Sequence, residues 1–209
     1  AAHRYQARHD ERLVGDAPEV NLDRVVARKN RHVESFAAHR RSAVHSIAEG
    51  TGVEFVHGTG RFVDDRRVRI EPTDGSDAYE VDADYVVVAT GSSVNVPDLD
   101  GLDGVDYLTS ADVLDATELP ESGVVMGFGY VGIELVPYLA EAGVDLTVIE
   151  HDERPLDGAD PAFGDELLDL YREEWGVKIL TETRERSVER TADGGVRLRV
   201  ELGGDVVDY

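Results

Sequence analysis

The sequence contains no cysteine, and only two of its basic residues are lysines, Lys29 and Lys178. Without cysteine the chain cannot form a disulfide, bind a metal through thiolates or use a thiol nucleophile. It also lacks any apolar run near the roughly 18 residues that a membrane helix needs, and no secretory signal peptide is recognisable. These absences exclude thiol chemistry within this chain and predict a cytoplasmic protein without membrane partners.

Positive charge is scarce along the whole chain. There are 44 acidic against 21 basic residues, a net charge of −23, and the acids are dispersed and form no single tail. Such a surface remains soluble in concentrated salt, where screening weakens self-repulsion, so the composition predicts an intracellular halophilic source. It disfavours nucleic-acid binding, because no basic stripe is available for phosphates.

Three glycines, Gly127, Gly129 and Gly132, stand in G-x-G-x-x-G spacing after the apolar run Val124–Met126 and before an apolar helical pattern. The first glycine permits a tight turn, the second lets backbone approach a pyrophosphate, and the third lets helix and strand pack closely. The helix N-terminus offers N–H groups and a positive dipole end to phosphates. This stretch predicts a dinucleotide site, the alternative being a purely structural glycine turn.

Glu150 ends the next predicted strand, Leu146–Ile149, and lies 18 residues after Gly132. That is near the roughly 20 residues expected for the acid that accepts hydrogen bonds from a ribose 2′-OH. Because a carboxylate repels a 2′-phosphate, we expect NAD and not NADP. Arg154, four residues further on, could weaken that preference.

Outside this unit the sequence predicts one long helix and a run of strands. The helix extends from about Asn21 to Glu49, and Gly50 ends it. The predicted strands that follow are Val53–His57 before a turn at Gly58–Gly60, an antiparallel ribbon of residues 61–63 and 67–70, Tyr79–Val81, and Tyr85–Ala89. The continuously apolar last strand should be buried on both faces of a sheet.

After Glu150 the pattern predicts a helix over about 161–174, ended by Gly176, and then a strand over 177–180. The tail alternates around a turn at Asp193–Gly195. Its apolar residues on one face are Val196, Leu198 and Val200.

Two motifs stand in order, VVVATGSSVNVP at 86–97 and VVMGFGYVGIE at 124–134. With the ribbon before them, they closely resemble the flavoprotein pyridine nucleotide–disulfide oxidoreductases, which include dihydrolipoyl dehydrogenase, glutathione reductase, mycothione reductase and mercuric reductase. The resemblance implies an α/β fold. Residues 1–117 would be part of an FAD-binding domain with an antiparallel ribbon, and residues 118–209 a Rossmann-like NAD-binding domain with a parallel sheet, truncated at its C-terminal end.

On the FAD side, the resemblance implies a backbone approach of Gly60 to the adenine. It places Thr90, Gly91 and Ser92 beside the flavin cofactor.

On the NAD side, the resemblance implies that one loop holds the pyrophosphate: Gly127, Phe128, Gly129, Tyr130, Val131 and Gly132. Tyr130 would be a lid over the flavin face that nicotinamide displaces. Glu134 would lie near nicotinamide and flavin, where the family often pairs it with a lysine. Glu150 and Leu156 stand where NADPH-specific members carry basic residues, so both favour NAD.

Several family features fall outside the ends of this chain: a first G-x-G-x-x-G, the C-x-x-x-x-C redox pair, a second FAD-contacting G-D motif and the dimer domain with its His–Glu pair. We therefore expect an internal fragment, unable to carry out thiol–disulfide chemistry alone. The parent would be a homodimer that exchanges hydride between NADH and FAD, coupled to a cysteine pair and a disulfide substrate.

Two other readings stay open at this point. The chain could be a free-standing NAD-binding module or redox sensor without flavin chemistry, or a non-catalytic remnant. A metal site is not expected, because His32, His39 and His45 are seven and six residues apart and do not meet on adjacent helical turns.

Overall fold

The structure, a computed structural model, describes residues 19–209. Residues 1–15, which show no apolar period in the sequence, lie outside that range. The chain divides into two compact units: Lys29–Val94, and Asn95–Tyr209 together with the residues up to Arg28. The boundary between cofactor domains that we place at residue 117 is a different division and stays a prediction.

The predicted long helix is confirmed as α1, Leu22–Thr51. Its start is capped by Asn21, whose side-chain oxygen accepts a hydrogen bond from the Arg24 N–H at 3.0 Å. Val26 is the buried apolar residue of this helix, whereas Phe36 is 68% exposed. The apolar stripe of the sequence is therefore largely uncovered among the described residues.

An antiparallel sheet follows, formed by β1 (Gly58–Phe62), β2 (Arg67–Pro72) and β3 (Tyr79–Asp82) in that spatial order. The ribbon around Asp64 is confirmed, because the Asp64 carboxylate accepts from the N–H groups of Arg66 and Arg67 at 3.0 Å each and shapes the turn.

The start of this sheet corrects the sequence prediction. Gly58–Gly60 is part of β1 and not a turn, and Val53–His57 is irregular and not a strand. A Cβ at Gly58 would lie 2.5 Å from the carbonyl oxygen of Glu71. Because Gly58 has no side chain, its backbone can pair closely with β2, and it therefore belongs to the sheet.

The predicted buried strand Tyr85–Ala89 is wrong for this chain. The segment is irregular, with Tyr85 91% and Val87 87% exposed. A strand buried on both faces needs hydrogen-bonded neighbours, and none of the strands described in residues 19–209 pairs with this segment. The apolar sequence of this segment favours a buried strand, but such a strand forms only where neighbouring strands pair with it.

The second unit contains the predicted parallel sheet, with strands β4 (Ser122–Met126), β5 (Asp145–Ile149) and β6 (Lys178–Leu180) in the order β4-β5-β6. Helix α2 (Ser110–Asp115) precedes it. Helices α3 (Tyr130–Glu141) and α4 (Pro161–Trp175) make the crossovers. Both helix ends agree with the sequence prediction: Gly143 and Gly176 have φ of +98° and +64°.

The main core lies between this sheet and its helices. Its completely buried members are Phe128, Val136 and Val148. Burying such side chains stabilises the fold by about 1.5–3 kcal/mol each. The core therefore holds the glycine loop, through Phe128, against α3 and β5.

The tail forms an antiparallel meander of β7 (Thr183–Arg190), β8 (Val196–Leu202) and β9 (Asp205–Asp208). Leu198 and Val200 are buried as the alternation predicts, but Val196 is 47% exposed because it starts the strand. In a short 3-10 helix, Leu102–Gly104, Leu102 belongs to a second buried cluster with Ile149, Val188, Leu198 and Val200. No helix within residues 19–209 is long and apolar enough to cross a membrane.

Candidate dinucleotide-binding site

The glycine loop between β4 and α3 is a tight turn that only glycine permits. Gly127 has φ +91°, and its N–H donates to the carbonyl of Ile149 at 2.9 Å, joining the loop to the end of β5. A Cβ at Gly132 would lie 2.4 Å from the carbonyl oxygen of Gly127. The first and third glycines thus let the helix start directly against the loop.

Gly129 has a different environment. It is the N-cap of α3 in an extended conformation, φ −76° and ψ −166°, and no side chain caps the helix there. A Cβ at Gly129 would meet no atom within 4 Å. The first helical bond runs from the Ile133 N–H to the Gly129 carbonyl, so the N–H groups of the first turn have no acceptor within the helix. An open, positively polarised helix end is the geometry that receives a pyrophosphate.

Glu150 lies beside this loop at the end of β5. One carboxylate oxygen accepts from the backbone N–H of Phe128 at 2.6 Å, and the other from the N–H of Asp152 at 3.2 Å. The Glu150 backbone is held on both sides, by Leu180 at 2.8 Å and by Thr183 at 2.9 Å. The expected ribose-binding acid is therefore positioned by the glycine loop, a contact that the sequence pattern did not predict.

Phe128 contributes to the loop through its backbone. Its side chain is completely buried, with its ring edge-on to Tyr171 at 5.0 Å. Tyr171 in turn lies 5.0 Å from the ring of Trp175 and donates its hydroxyl to the Ile133 carbonyl at 2.6 Å. Burial raises the pKa of the Tyr171 hydroxyl, so it remains a neutral donor at ordinary pH. Tyr171 thus supports the loop and the first turn of α3.

The exposed residues of this helix start are Tyr130, Val131 and Glu134. Tyr130 is 78% and Val131 56% exposed. Tyr130 and Glu134 are four residues apart in α3 and therefore share one face. The structure thus gathers the NAD-side residues around one loop, and their roles toward the cofactor stay predictions.

Arg154, whose effect on cofactor choice the sequence left open, is paired. Its Nε lies 2.6 Å from Asp165 Oδ1 on α4, and its Nη1 lies 2.7 Å from Glu153 Oε2. The hydrogen bond to Asp165 is the main reason that the pKa of the guanidinium is raised. Leu156 shortly after it has φ +58°, a left-handed conformation uncommon for a branched residue.

The residues implied for FAD lie in the other compact unit. Gly60 is in β1, opposite Ile70, and residues 90–92 are exposed and irregular. Gly91 has φ +75°. They follow Tyr85–Ala89, which is not a strand here, and their role toward FAD stays a prediction.

Comparison with known proteins identifies the family of this fold. The model of the pyridine nucleotide-disulphide oxidoreductase family matches residues 2–208. A mercuric reductase from Streptomyces lividans is 35% identical over 148 residues, which cover 71% of this chain and 31% of that protein. A dihydrolipoyl dehydrogenase from Halobacterium salinarum is 30% identical over 212 residues, covering 98% and 43%. The crystal structure of LpdA from Mycobacterium tuberculosis matches with a TM-score of 0.70 at 28% identity, covering 91% and 41%.

The chain thus spans less than half the length of these relatives. The family uses FAD and NAD(P)H, and the named relatives are oxidoreductases. A relative from a halophile accords with the strongly acidic composition. The family match over residues 2–208, on a fold with the glycine loop and its acid in place, shows that this chain belongs to the pyridine nucleotide-disulphide oxidoreductase family.

Proposed function

We propose that residues 118–209 are the NAD-binding part of an FAD-dependent NADH:disulfide oxidoreductase, in which hydride is exchanged between NADH and FAD. The observation that carries this proposal is the 2.6 Å hydrogen bond from the Phe128 N–H to Glu150, beside the open N-terminus of α3. It would connect the proposed phosphate site with the proposed ribose acceptor.

The pyrophosphate would lie over Gly129. The open space there and the N–H groups of the first turn supply donors to phosphate oxygens without a competing side chain. A helix N-terminus carries roughly half a positive charge, enough to favour a dianionic group near the first turn. This part of the site is indifferent to whether the nucleotide is NAD or NADP.

Glu150 would discriminate between NAD and NADP. Its two oxygens each accept one backbone N–H, and a carboxylate has roughly four acceptor positions, so acceptors remain for the ribose hydroxyls. A 2′-phosphate would instead place negative charge against the carboxylate. Two unit charges about 4 Å apart repel by about 4 kcal/mol near a protein surface, before salt screening reduces the value. NADH is therefore the expected cofactor.

Tyr130 and Glu134 would act at the nicotinamide end. Both lie on one exposed face at the start of α3, next to the phosphate site. Tyr130 would cover the flavin face until nicotinamide displaces it, and Glu134 would orient the nicotinamide. FAD, when bound in the parent protein, supplies the acceptor for the hydride.

The cysteine pair, the disulfide substrate and the homodimer belong to the proposed parent protein. The 209 residues contain no cysteine, so thiol–disulfide exchange requires a sequence outside them. We expect this chain to bind NADH without reducing disulfides.

One observation favours a second candidate, a NAD-binding module without flavin chemistry. The segment that should carry the flavin motif, Tyr85–Ala89, is exposed and unpaired in the described chain. Binding of FAD by a longer protein that includes this segment would decide for the first candidate.

The single tryptophan offers a direct test. Trp175 lies 5.0 Å from Tyr171, which contacts the loop residue Phe128. Its emission overlaps NADH absorption, so bound NADH should quench it by energy transfer. A titration of the chain with NADH in molar KCl should show saturable quenching that NAD⁺ reverses. Linear, non-saturable quenching would refute the proposal.

A further inference from the structure

Arg154 is the only arginine or lysine between His151 and Asp160, and it lies four residues after Glu150. An arginine near the ribose-binding acid is the group that allows some dinucleotide sites to accept a 2′-phosphate. Here two nitrogens of the guanidinium are engaged, Nε by Asp165 at 2.6 Å and Nη1 by Glu153 at 2.7 Å. Their carboxylates compete for the donors that a phosphate would need.

The position of Arg154 is built by packing as well as charge. An added Cβ at Gly164, in the first turns of α4, would lie 3.0 Å from Arg154 Cβ and 3.4 Å from its Cδ. Glycine inside a helix costs about 1 kcal/mol relative to alanine, so an interior glycine indicates a packing requirement. Gly164 thus leaves room for the arginine stem and for the carbonyl oxygen of Pro155, 3.2 Å from the same Cβ position.

An exposed ion pair alone would be weak evidence, since such pairs contribute about 0–1 kcal/mol. The Arg154 side chain is 32% exposed, and it combines stem packing on Gly164 with two carboxylates on different segments. Asp165 adjoins Gly164, so the helix supplies both the space and the anchor. This makes the paired rotamer the preferred one.

We infer that Asp165 is a specificity-determining residue: together with Glu153 it keeps Arg154 engaged on α4 and so withholds from a 2′-phosphate the cation that would neutralise it. The inference rests on the proposed NADH site. Discrimination against NADP would then have two parts, repulsion by Glu150 and sequestration of Arg154. The ability of Arg154 to bind a 2′-phosphate is therefore latent, and substitution of Asp165 should release it.

The experiment compares 2′,5′-ADP with 5′-AMP as probes, by calorimetry on the full 209-residue chain. In D165N, the affinity for 2′,5′-ADP should rise roughly tenfold, the size of one hydrogen bond to a charged group, while that for 5′-AMP stays constant. The double variant D165N/R154A should lose this gain. The matched control D169N removes the same charge one turn further along α4, where Asp169 is 71% exposed, and should change neither affinity.

An unchanged probe ratio in D165N, or a gain that persists without Arg154, would overturn the inference. If D165N does not fold by circular dichroism, E153Q releases the other carboxylate and should give a smaller gain in the same direction; no gain counts against the inference. If the wild-type chain binds NADH and 5′-AMP but D165N does not change the probe ratio, only this inference is refuted. If the wild-type chain binds neither NADH nor 5′-AMP, the proposed function is refuted as well.

Discussion

The carboxylate of Glu150 accepts a 2.6 Å hydrogen bond from the backbone N–H of Phe128, 22 residues earlier in the chain. The acid that should recognise the ribose thus also orders the loop that should bind the phosphates. Because Phe128 is completely buried, the N–H that binds Glu150 is held in place by the core. We therefore expect changes at the proposed ribose contact to affect the proposed phosphate contact as well.

Replacing Glu150 should change cofactor choice more than stability. In Glu150→Gln the amide can keep one hydrogen bond but loses the charge, so we expect NADH affinity to fall about tenfold, the range of one charge-assisted hydrogen bond. NADPH affinity should rise or stay constant because the repulsion is gone. Fluorescence titration with both cofactors measures this. Asp152→Asn, a neighbouring exposed acid, is the control and should change neither; a wild-type chain that prefers NADPH would contradict the argument.

Gly129 and Gly132 should respond differently to the same added methyl group. The Cβ of Gly132→Ala would lie 2.4 Å from a backbone oxygen, and we expect a loss of at least 1–3 kcal/mol of stability. The Cβ of Gly129→Ala meets no protein atom, so its melting temperature should stay near wild type while NADH binding falls. Thermal melting and NADH titration separate the two effects. Wild-type binding by Gly129→Ala would exclude a close phosphate approach there.

The hydroxyl of Tyr171 should stabilise the loop end of α3. Tyr171→Phe removes the 2.6 Å hydrogen bond to Ile133 but keeps the ring contact with Phe128. We expect a loss of about 1 kcal/mol, seen as a lower denaturant midpoint with an unchanged m-value. Tyr107→Phe, on an exposed ring in the same unit, is the control. Equal midpoints for both variants would show that the bond contributes nothing net.

The cap of α2 predicts a small acid-dependent loss of stability. Hydrogen bonds from the Thr109 hydroxyl and backbone N–H lower the pKa of Asp112. A carboxyl with a depressed folded-state pKa contributes stability above its unfolded pKa of about 3.9 and loses it as pH falls through the folded value. Asp112→Asn should therefore flatten the decline of the melting temperature below about pH 4. An identical pH profile for both chains would count against this contribution.

Stability should rise with salt because the net charge is −23. The screening length falls from about 10 Å at 0.1 M to about 3 Å at 1 M, which removes most of the self-repulsion. Melting temperatures in increasing KCl should climb near pH 7 and climb less near the pI of about 4.5, where the net charge vanishes. Equal slopes at the two pH values would show that charge screening is not the cause.

Much of the fold could be predicted from local pattern. The strand, glycine turn, helix and second strand from Ser122 to Ile149 follow apolar period and backbone conformation, which act over a few residues. Gly176 as the end of α4 is another local effect, since its φ of +64° suits glycine. The errors at Gly58–Gly60 and Tyr85–Ala89 arose where the outcome depends on a neighbouring strand.

By itself, the sequence determined the glycine loop, the acid at the end of β5, the acidic surface and the absence of thiol chemistry. Only the tertiary structure decided that Glu150 orders Phe128 and that Arg154 pairs with Asp165, 22 and 11 residues apart. It also left Tyr85–Ala89 exposed. The physical reason is the same in each case: a hydrogen bond, an ion pair or a buried strand depends on which partner comes within reach, and chain packing sets that, not local propensity.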